Sequence, residues 1–241
     1  MDLKGAVTIV TGASGGIGAA TVARLAGAGA RLALVARNPG RLDRVLQDAA
    51  AAGAEAIALP ADVTHSADVQ ALLEATISRF GRVDVLVNAA GTFATANIAD
   101  EDEESFDRQI AANLKSVFLT CRAVHPHLVA RHSGHIVNVL SIAAREVFPG
   151  NAAYCASKWG ALGFTRVLAQ EARAQGVRVT AVLPGATDTP LWDEIDWAPD
   201  RTRMLRPDDV ARAILSALTA PSSASVDEIV ITPPAPEVSR S

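Results

Sequence analysis

Cysteine is scarce: Cys121 and Cys155 are the only two among 241 residues, and neither stands in a C-x-x-C pair. A disulfide framework is not expected, and a reducing compartment fits. No uninterrupted apolar stretch reaches membrane-spanning length. The opening segment, MDLKGAVTIVTGASGGIG, has no apolar region ending in a small-residue cleavage site. A soluble cytoplasmic protein is expected. Charge of neither sign accumulates into a tail, and a formal net charge of −4 gives no global attraction for nucleic acid or an anionic membrane surface. The sharpest acidic cluster, Asp100 to Glu104, reads as the solvated start of a helix. Linkers, repeats and low-complexity segments are also missing.

What is present is 49% apolar and 20% charged, enough for a large core. Short β-branched runs start at Ala6, Arg31, Val83, His135, Val177 and Glu228, with a weaker one at Ala54. Near-continuous apolar strands of this kind are buried on both sheet faces. Ala-rich segments of helical length lie between them, near 16–28, 40–52, 66–79, 104–131, 154–175 and 207–219. Pro126 is expected to kink or end part of the fourth. Strand and helix in alternation predict βαβ units and a doubly wound parallel sheet in one domain, 1–241. Residues 186–206 break the rhythm: two tryptophans, several prolines and mixed charge follow a strand with no obvious helix. At the carboxyl end of a strand such a stretch is either a substrate lid or a structural excursion. The Pro-rich tail from Thr232 reads as a loop.

The first strand runs into Thr11-Gly12-Ala13-Ser14-Gly15-Gly16-Ile17-Gly18, where a helix begins. Glycines there let the backbone turn tightly and approach a pyrophosphate, and the helix N-terminus supplies amide donors. The spacing is G-x-x-x-G-x-G, since Thr21 stands where G-x-G-x-x-G needs a third glycine. At the end of the second strand, Ala36 occupies the position of the acidic residue that binds the adenosine ribose in NAD enzymes, and Arg37-Asn38 follow. An arginine attracts a 2′-phosphate that a carboxylate repels. Ser14 adds a hydroxyl donor. NADP(H) is favoured, with NAD(H) the alternative and a plain solvated arginine the reading that would remove the preference.

Tyr154-Cys155-Ala156-Ser157-Lys158 opens a helix, Ser141 lies thirteen residues upstream at a strand end, and Asn113 sits in the preceding helix. With the glycine loop, the Asn88-Ala89-Ala90-Gly91 segment and the Pro184-Gly185 turn, this resembles the short-chain dehydrogenase/reductase family in its single-domain form. The resemblance covers practically the whole chain. It implies a Rossmann-like sheet of seven strands in the order 3-2-1-4-5-6-7. It implies catalytic roles for Asn113, Ser141, Tyr154 and Lys158. It further implies cofactor contacts from Gly12, Ser14, Gly15, Gly16, Ile17, Gly18, Arg37, Asn38, Asp62, Val63, Asn88, Ala89, Ala90, Gly91, Tyr154, Lys158, Pro184, Gly185, Thr187 and Thr189. Asp62-Val63 match the adenine-contacting pair, though Asp62 can equally cap the helix from Ser66. Asn88 looks like a tie between central strands. Thr189 matches the threonine that bonds the carboxamide, while Thr187 departs from the usual aliphatic residue.

The chemistry follows from residue types. Tyr154 and Lys158, four apart, share a helix face. A phenol titrates near ~10, and a neighbouring ammonium lowers that value. Tyr154 can then protonate the oxygen of a carbonyl that receives hydride, or deprotonate an alcohol in reverse. Ser141 steadies the developing negative charge. The resemblance adds that Lys158 binds ribose hydroxyls and that Asn113 holds a helix kink and a proton-passing water. The rivals are an NAD-preferring enzyme of the same kind and a non-catalytic cofactor-binding regulator; the latter would be expected to lose members of the Asn-Ser-Tyr-Lys set.

The remaining expectations concern substrate, metal and partners. Phe93, Ala143, Val147, Phe148, Ala186, Leu191, Trp192, Trp197 and Met204 suggest an apolar pocket for a small carbonyl or alcohol, and Asp193, Glu194 and Asp196 disfavour an anionic one. No metal is expected: His125, His127, His132 and His135 lack zinc spacing and read as solvated. Cys155 reads as a packing residue, with redox sensing the alternative. Leu114, Val117, Phe118, Trp159, Leu162, Phe164 and Val167 exceed one sheet-facing stripe and suggest a partner helix; the resemblance implies a homo-oligomer through these helices, a tetramer first and a dimer second.

Overall fold

The computed structural model describes residues 1–193, 195 and 200–234. Parallel strands β1 (Val7–Thr11), β2 (Arg31–Ala36), β3 (Ala56–Pro60), β4 (Val85–Asn88), β5 (Gly134–Val139), β6 (Val177–Pro184) and β7 (Glu228–Ile231) form one sheet in the order β3-β2-β1-β4-β5-β6-β7. Every expected strand is there, and the order is the expected one. The helices are α1 (Gly16–Gly27), α2 (Pro39–Ala51), α3 (Ser66–Phe80), α4 (Glu103–Ile110), α5 (Ser116–Val129), α6 (Ala152–Arg173) and α7 (Pro207–Thr219).

Alternation along the strands decides which helices lie where. Leu32, Leu34 and Ala36 of β2 pack with Val22 and Leu25 of α1, Leu42 of α2 and Ile214 of α7. Ala33 and Val35 face the other way, toward Leu72 of α3, Val124 of α5 and Leu168 of α6. The sheet is therefore covered on both faces, and its polar strand ends are left for a site. Arg24 of α1 clasps Asp208 of α7 with two hydrogen bonds of 2.6 Å, joining helices 184 residues apart in sequence.

Three local expectations change. The stretch 104–131 is two helices joined by a π turn, Ala111–Lys115, centred on Asn113. Such turns widen the helix by one residue and mark functional positions. Pro126 does not end α5, which runs on to Val129. Its ring is exposed within the last turn, where one missing N–H removes a single helical bond. Asp62 does not cap α3: that helix has His65 at its N-cap, without a side-chain bond. Asp62 Oδ1 instead accepts from the Thr64 amide at 2.9 Å and the Thr64 hydroxyl at 2.7 Å, closing a turn on itself.

His135 is not solvated either; it is 0% exposed within β5. The Thr180 hydroxyl donates to Val226 O at 2.6 Å, so the 2.8 Å contact from His135 must be Nε2–H donating to Thr180 Oγ1. The other nitrogen, Nδ1, is buried with no partner among the described residues. Burial, with Arg178 and the N-terminal ammonium nearby, pushes the imidazole down to about 3. In the unfolded chain it returns to ~6.5. The unfolded state then binds the extra proton between those values, so stability is complete above pH 6.5 and is lost as pH falls toward 3. We expect His135 to add about 1.4 kcal/mol per pH unit to acid destabilisation across that window. Chemical denaturation against pH checks it. His135→Gln should flatten the slope, and equal slopes for the two proteins would contradict it.

Candidate active site

The glycine loop is folded by close approach. Gly12 has φ +67°, and a Cβ there would lie 2.6 Å from Ala89 O. The Ala13 amide bonds Val35 O at 3.1 Å, tying the loop to β2. Thr11 Oγ1 accepts the amides of Ala89 and Ala90, both at 3.2 Å, and ties it to β4. Helix α1 starts behind the loop with Gly15 at its N-cap, no side-chain cap and no acidic residue in the first turn. Its N-terminal amides and the Ser14 hydroxyl are thus free of local acceptors that would compete with an anion. Ile17 is half-buried against the α1-side core.

Asn88 acts as a tie, as expected. Its Nδ2 donates to Asn138 Oδ1 at 2.9 Å, opposite it in the β4–β5 register, and its Oδ1 accepts from Thr120 at 2.8 Å. Asn138 continues to Thr165 of α6 at 2.9 Å. The Asn88 side chain is committed to the core, and Ala89 and Ala90 border the glycine loop. Gly91 lies where a Cβ would be 2.8 Å from Asn113 Oδ1 and 3.7 Å from Lys158 Nζ.

Asn113, Ser141, Tyr154 and Lys158 converge beside this segment. Asn113 accepts from the Thr92 amide at 2.9 Å and donates to Thr92 O at 3.0 Å, clamping one residue of the chain. It also donates to Ser157 Oγ at 3.1 Å, and Ser157 donates to Tyr154 O at 2.7 Å. The π turn is thereby wired to the first turn of α6. Ser141 Oγ accepts from the Ala143 amide at 3.1 Å, which starts a short 3-10 turn, Ile142–Ala144, and it hydrogen-bonds the Tyr154 phenol. Lys158 Nζ sits 5.5 Å from the Tyr154 ring centroid and has no hydrogen bond to any described residue.

The electrostatics differ from the expectation that Lys158 would acidify Tyr154. Burial pushes the phenol up to about 12, against the hydrogen bond from Ser141. Burial also pushes Lys158 down to about 8. Desolvation is the largest cause for both groups, and for Lys158 the only one.

At the other end, Arg37 is exposed, forms no ion pair among the described residues, and lies close enough to Asp62 to help hold that carboxyl below its usual value. In that lowered value the burial contribution opposes and is outweighed by the Thr64 bonds together with Arg37 and His65. Asn38 uses its side-chain oxygen to cap α2, accepting from Arg41 N at 2.9 Å. Val63 is buried in the core on the α3 side of the sheet.

Past Pro184 and Gly185, at the end of β6, the chain turns back over the site. Thr187 Oγ1 donates to Gly185 O at 2.9 Å, which satisfies the hydroxyl where an aliphatic residue is usual. Thr189 is buried against the glycine loop: Gly16 has φ +52°, and a Cβ there would lie 3.0 Å from Thr189 Cγ2. Two 3-10 turns follow, Pro190–Trp192 and Arg201–Arg203. Phe93 contacts both Tyr154 (4.8 Å, 73°) and Trp192 (5.3 Å, 63°) edge to face, which links the stretch to the tyrosine. Ala143 and Met204 are buried, Phe148 and Ala186 half-buried, Leu191 and Val147 exposed. Trp197, Glu194 and Asp196 lie outside the described residues. Asp193 pairs with Arg201 at 2.8 Å, so its charge argues less against an anionic substrate than expected.

Similarity to known proteins agrees with this geometry. The short chain dehydrogenase family model matches residues 6–199. The chain belongs to this family. An uncharacterised oxidoreductase of Staphylococcus saprophyticus is 38% identical, over 97% of this chain and 99% of that one. Among solved structures, a metagenomic short-chain oxidoreductase in complex with NADP has a TM-score of 0.85 and 34% identity, covering 98% of this chain and 100% of its own. An alcohol dehydrogenase from the archaeon Thermococcus sibiricus, complexed with 5-hydroxy-NADP, has a TM-score of 0.86 and 29% identity, covering 94% and 96%. This short chain dehydrogenase is thus an oxidoreductase, and its family binds a nicotinamide cofactor.

The residues present in this short chain dehydrogenase fit such a group. A Cβ at Gly12 or Gly18 would collide with backbone, the α1 amides are uncapped, and a buried ammonium, Lys158 Nζ, stands beside Gly91. Sequence reading missed Thr11, which pins the loop; Ser157, which relays Asn113 to Tyr154; and Arg201. Thr11 and Ser157 sit inside the two motifs and could have been found there. Arg201 gave no local signal. No helix among the described residues is long and apolar enough to cross a membrane, and no group of three or more His, Cys, Asp or Glu side chains could hold a metal ion.

Proposed function

We propose that this protein is an NADP(H)-dependent oxidoreductase that interconverts a ketone or aldehyde with its alcohol, using Tyr154 as general acid and base. The observation that carries this is the meeting of Tyr154, Ser141 and Lys158 at the carboxyl end of the sheet, beside Gly91 and within one aromatic contact of Trp192. NADPH, when bound, supplies the hydride. Tyr154 gives its proton to the carbonyl oxygen, Ser141 donates a hydrogen bond to the same oxygen, and Lys158 holds ribose hydroxyls and positive charge nearby. Asn113, through Ser157, keeps the Tyr154 turn in place. The preference for the phosphorylated cofactor rests on Ala36 and on Arg37, which is exposed and has no ion pair among the described residues. With NADP(H) the direction is reduction. Phe93 and Trp192 make the substrate apolar, and the stretch 186–206 acts as its lid. Homo-oligomer contacts fall on α5 and α6, where Phe118, Trp159 and Val167 are 40%, 50% and 58% exposed; Val117 and Leu162 are buried in the subunit itself.

A panel of apolar ketones and aldehydes with NADPH tests the assignment: consumption of NADPH with at least one of them is expected, and none with any would overturn it. The pH profile tests Lys158. It is cationic below about 8 and neutral above, while Tyr154 keeps its proton to about 12. We expect kcat/KM for reduction to be level below pH 8 and to fall about tenfold per unit above it, and Lys158→Arg to carry the plateau higher. A wild-type profile level through pH 10 would contradict the role given to the ammonium.

A further inference from the structure

Arg201 gathers three partners from one short stretch of chain. Its Nε meets Asp188 Oδ1 at 2.7 Å, an Nη meets Asp193 Oδ1 at 2.8 Å, and the other Nη donates to the carbonyl of Thr189. The side chains are roughly half-exposed, so either ion pair alone contributes little to stability. A planar guanidinium that engages three acceptors does something a single pair does not: it fixes their relative orientation. Here the acceptors flank and include Thr189. The Thr189 carbonyl also accepts from Trp192 N at 3.2 Å. The base of the stretch is closed separately, by Asp188 N to Leu205 O at 2.8 Å and Leu205 N to Ala186 O at 2.9 Å. Arg201 therefore acts beyond that closure, on the part that carries Thr189 against Gly16 and Trp192 against Phe93.

We propose that Arg201 is a positioning residue for the nicotinamide half of the cofactor, holding Thr189 against the glycine loop. This rests on the cofactor reading above. Arg201 itself touches neither Tyr154 nor the glycine loop; its effect passes through the Thr189 carbonyl. Arg37 and the turn at Asp62, assigned to the dinucleotide's other half, follow β2 and β3, across β1, β4 and β5 from β6, and share no hydrogen bond or ion pair with this clamp among the described residues. The expected consequence is a split between ligands that reach Thr189 and ligands that do not.

The full chain carrying Arg201→Ala or Arg201→Lys is titrated with NADPH, NADH and 2′,5′-ADP, the last bearing the 2′-phosphate but no nicotinamide. Arg201→Ala should weaken NADPH binding about 10-fold and leave 2′,5′-ADP within about 2-fold of wild type. Arg201→Lys should fall between, because a point charge satisfies one partner and not three. In turnover the KM for NADPH should rise more than kcat falls. Wild-type affinity of Arg201→Ala for NADPH, or equal losses for NADPH and 2′,5′-ADP, would overturn the proposal; the second result marks a merely structural arginine. If the wild type binds NADH in preference to NADPH, the NADP reading fails while the clamp is still judged, by the loss of NADH. If it binds neither dinucleotide, both fail.

Discussion

Replacing Tyr154 by phenylalanine is expected to lower kcat for carbonyl reduction by about 10³-fold while NADPH binding stays within about 2-fold of wild type. The change removes one oxygen. The ring that Phe93 meets edge-on at 4.8 Å and the Lys158 ammonium crosses at 5.5 Å remains. The backbone link from Asn113 through Ser157 reaches Tyr154 at its carbonyl, so it too survives. The melting temperature should fall by little, because the ring contacts stay and only the hydrogen bond with Ser141 is lost. Steady-state kinetics with a substrate found in the carbonyl panel checks this. Turnover unchanged in the variant would remove Tyr154 from the chemistry. A nearly unchanged Tm with lost turnover would separate a chemical role from a packing one.

The second large effect concerns cofactor choice. Ala36→Asp combined with Arg37→Ala should invert the ratio of kcat/KM for NADPH over NADH by about 10²- to 10³-fold. Two contributions act together. The arginine's charge-assisted bonds to a 2′-phosphate are lost, and a carboxylate appears where it repels that phosphate and can accept from ribose hydroxyls. Position 36 ends β2 and is buried, and Arg37 next to it is exposed with no ion pair among the described residues. Asp62 stays nearby in its own turn with Thr64. Measured kcat/KM for both cofactors decides it. A wild-type enzyme that already prefers NADH, or a double variant with an unchanged ratio, would contradict the role given to Arg37.

Much of the fold was legible in the sequence because its strands advertise themselves. A strand buried on both faces has few places for polar residues, so β1, β2, β4 and β6 stand out against Ala-rich helices. The glycine loop was legible for a similar reason: a Cβ at Gly12 meets backbone, and no other residue type fits. Asn88 was readable as a tie, but its partners Asn138 and Thr120 were not, since they are supplied by elements 50 and 32 positions along the chain. His135 misled because a histidine at the start of a strand looks solvent-facing until the β5–β6 pairing brings Thr180 to it. The π turn is a backbone event whose only trace is Asn113. Lys158 and Tyr154 share a face as their spacing requires, yet spacing says nothing of how deeply each is buried, and burial is what moves their two pKa values. Arg201 sits in a stretch without periodicity, where tertiary contacts alone reveal a role.

The most direct test of the central claim follows the hydrogen itself. NADPH carrying deuterium at both C4 positions of the dihydronicotinamide is incubated with the protein and a carbonyl substrate, and the alcohol formed is analysed by mass spectrometry. One deuterium in the product alcohol is expected with the wild type and about 10³-fold less with Tyr154→Phe over the same interval. An alcohol that carries no deuterium, or equal labelling by the wild type and the variant, would contradict it.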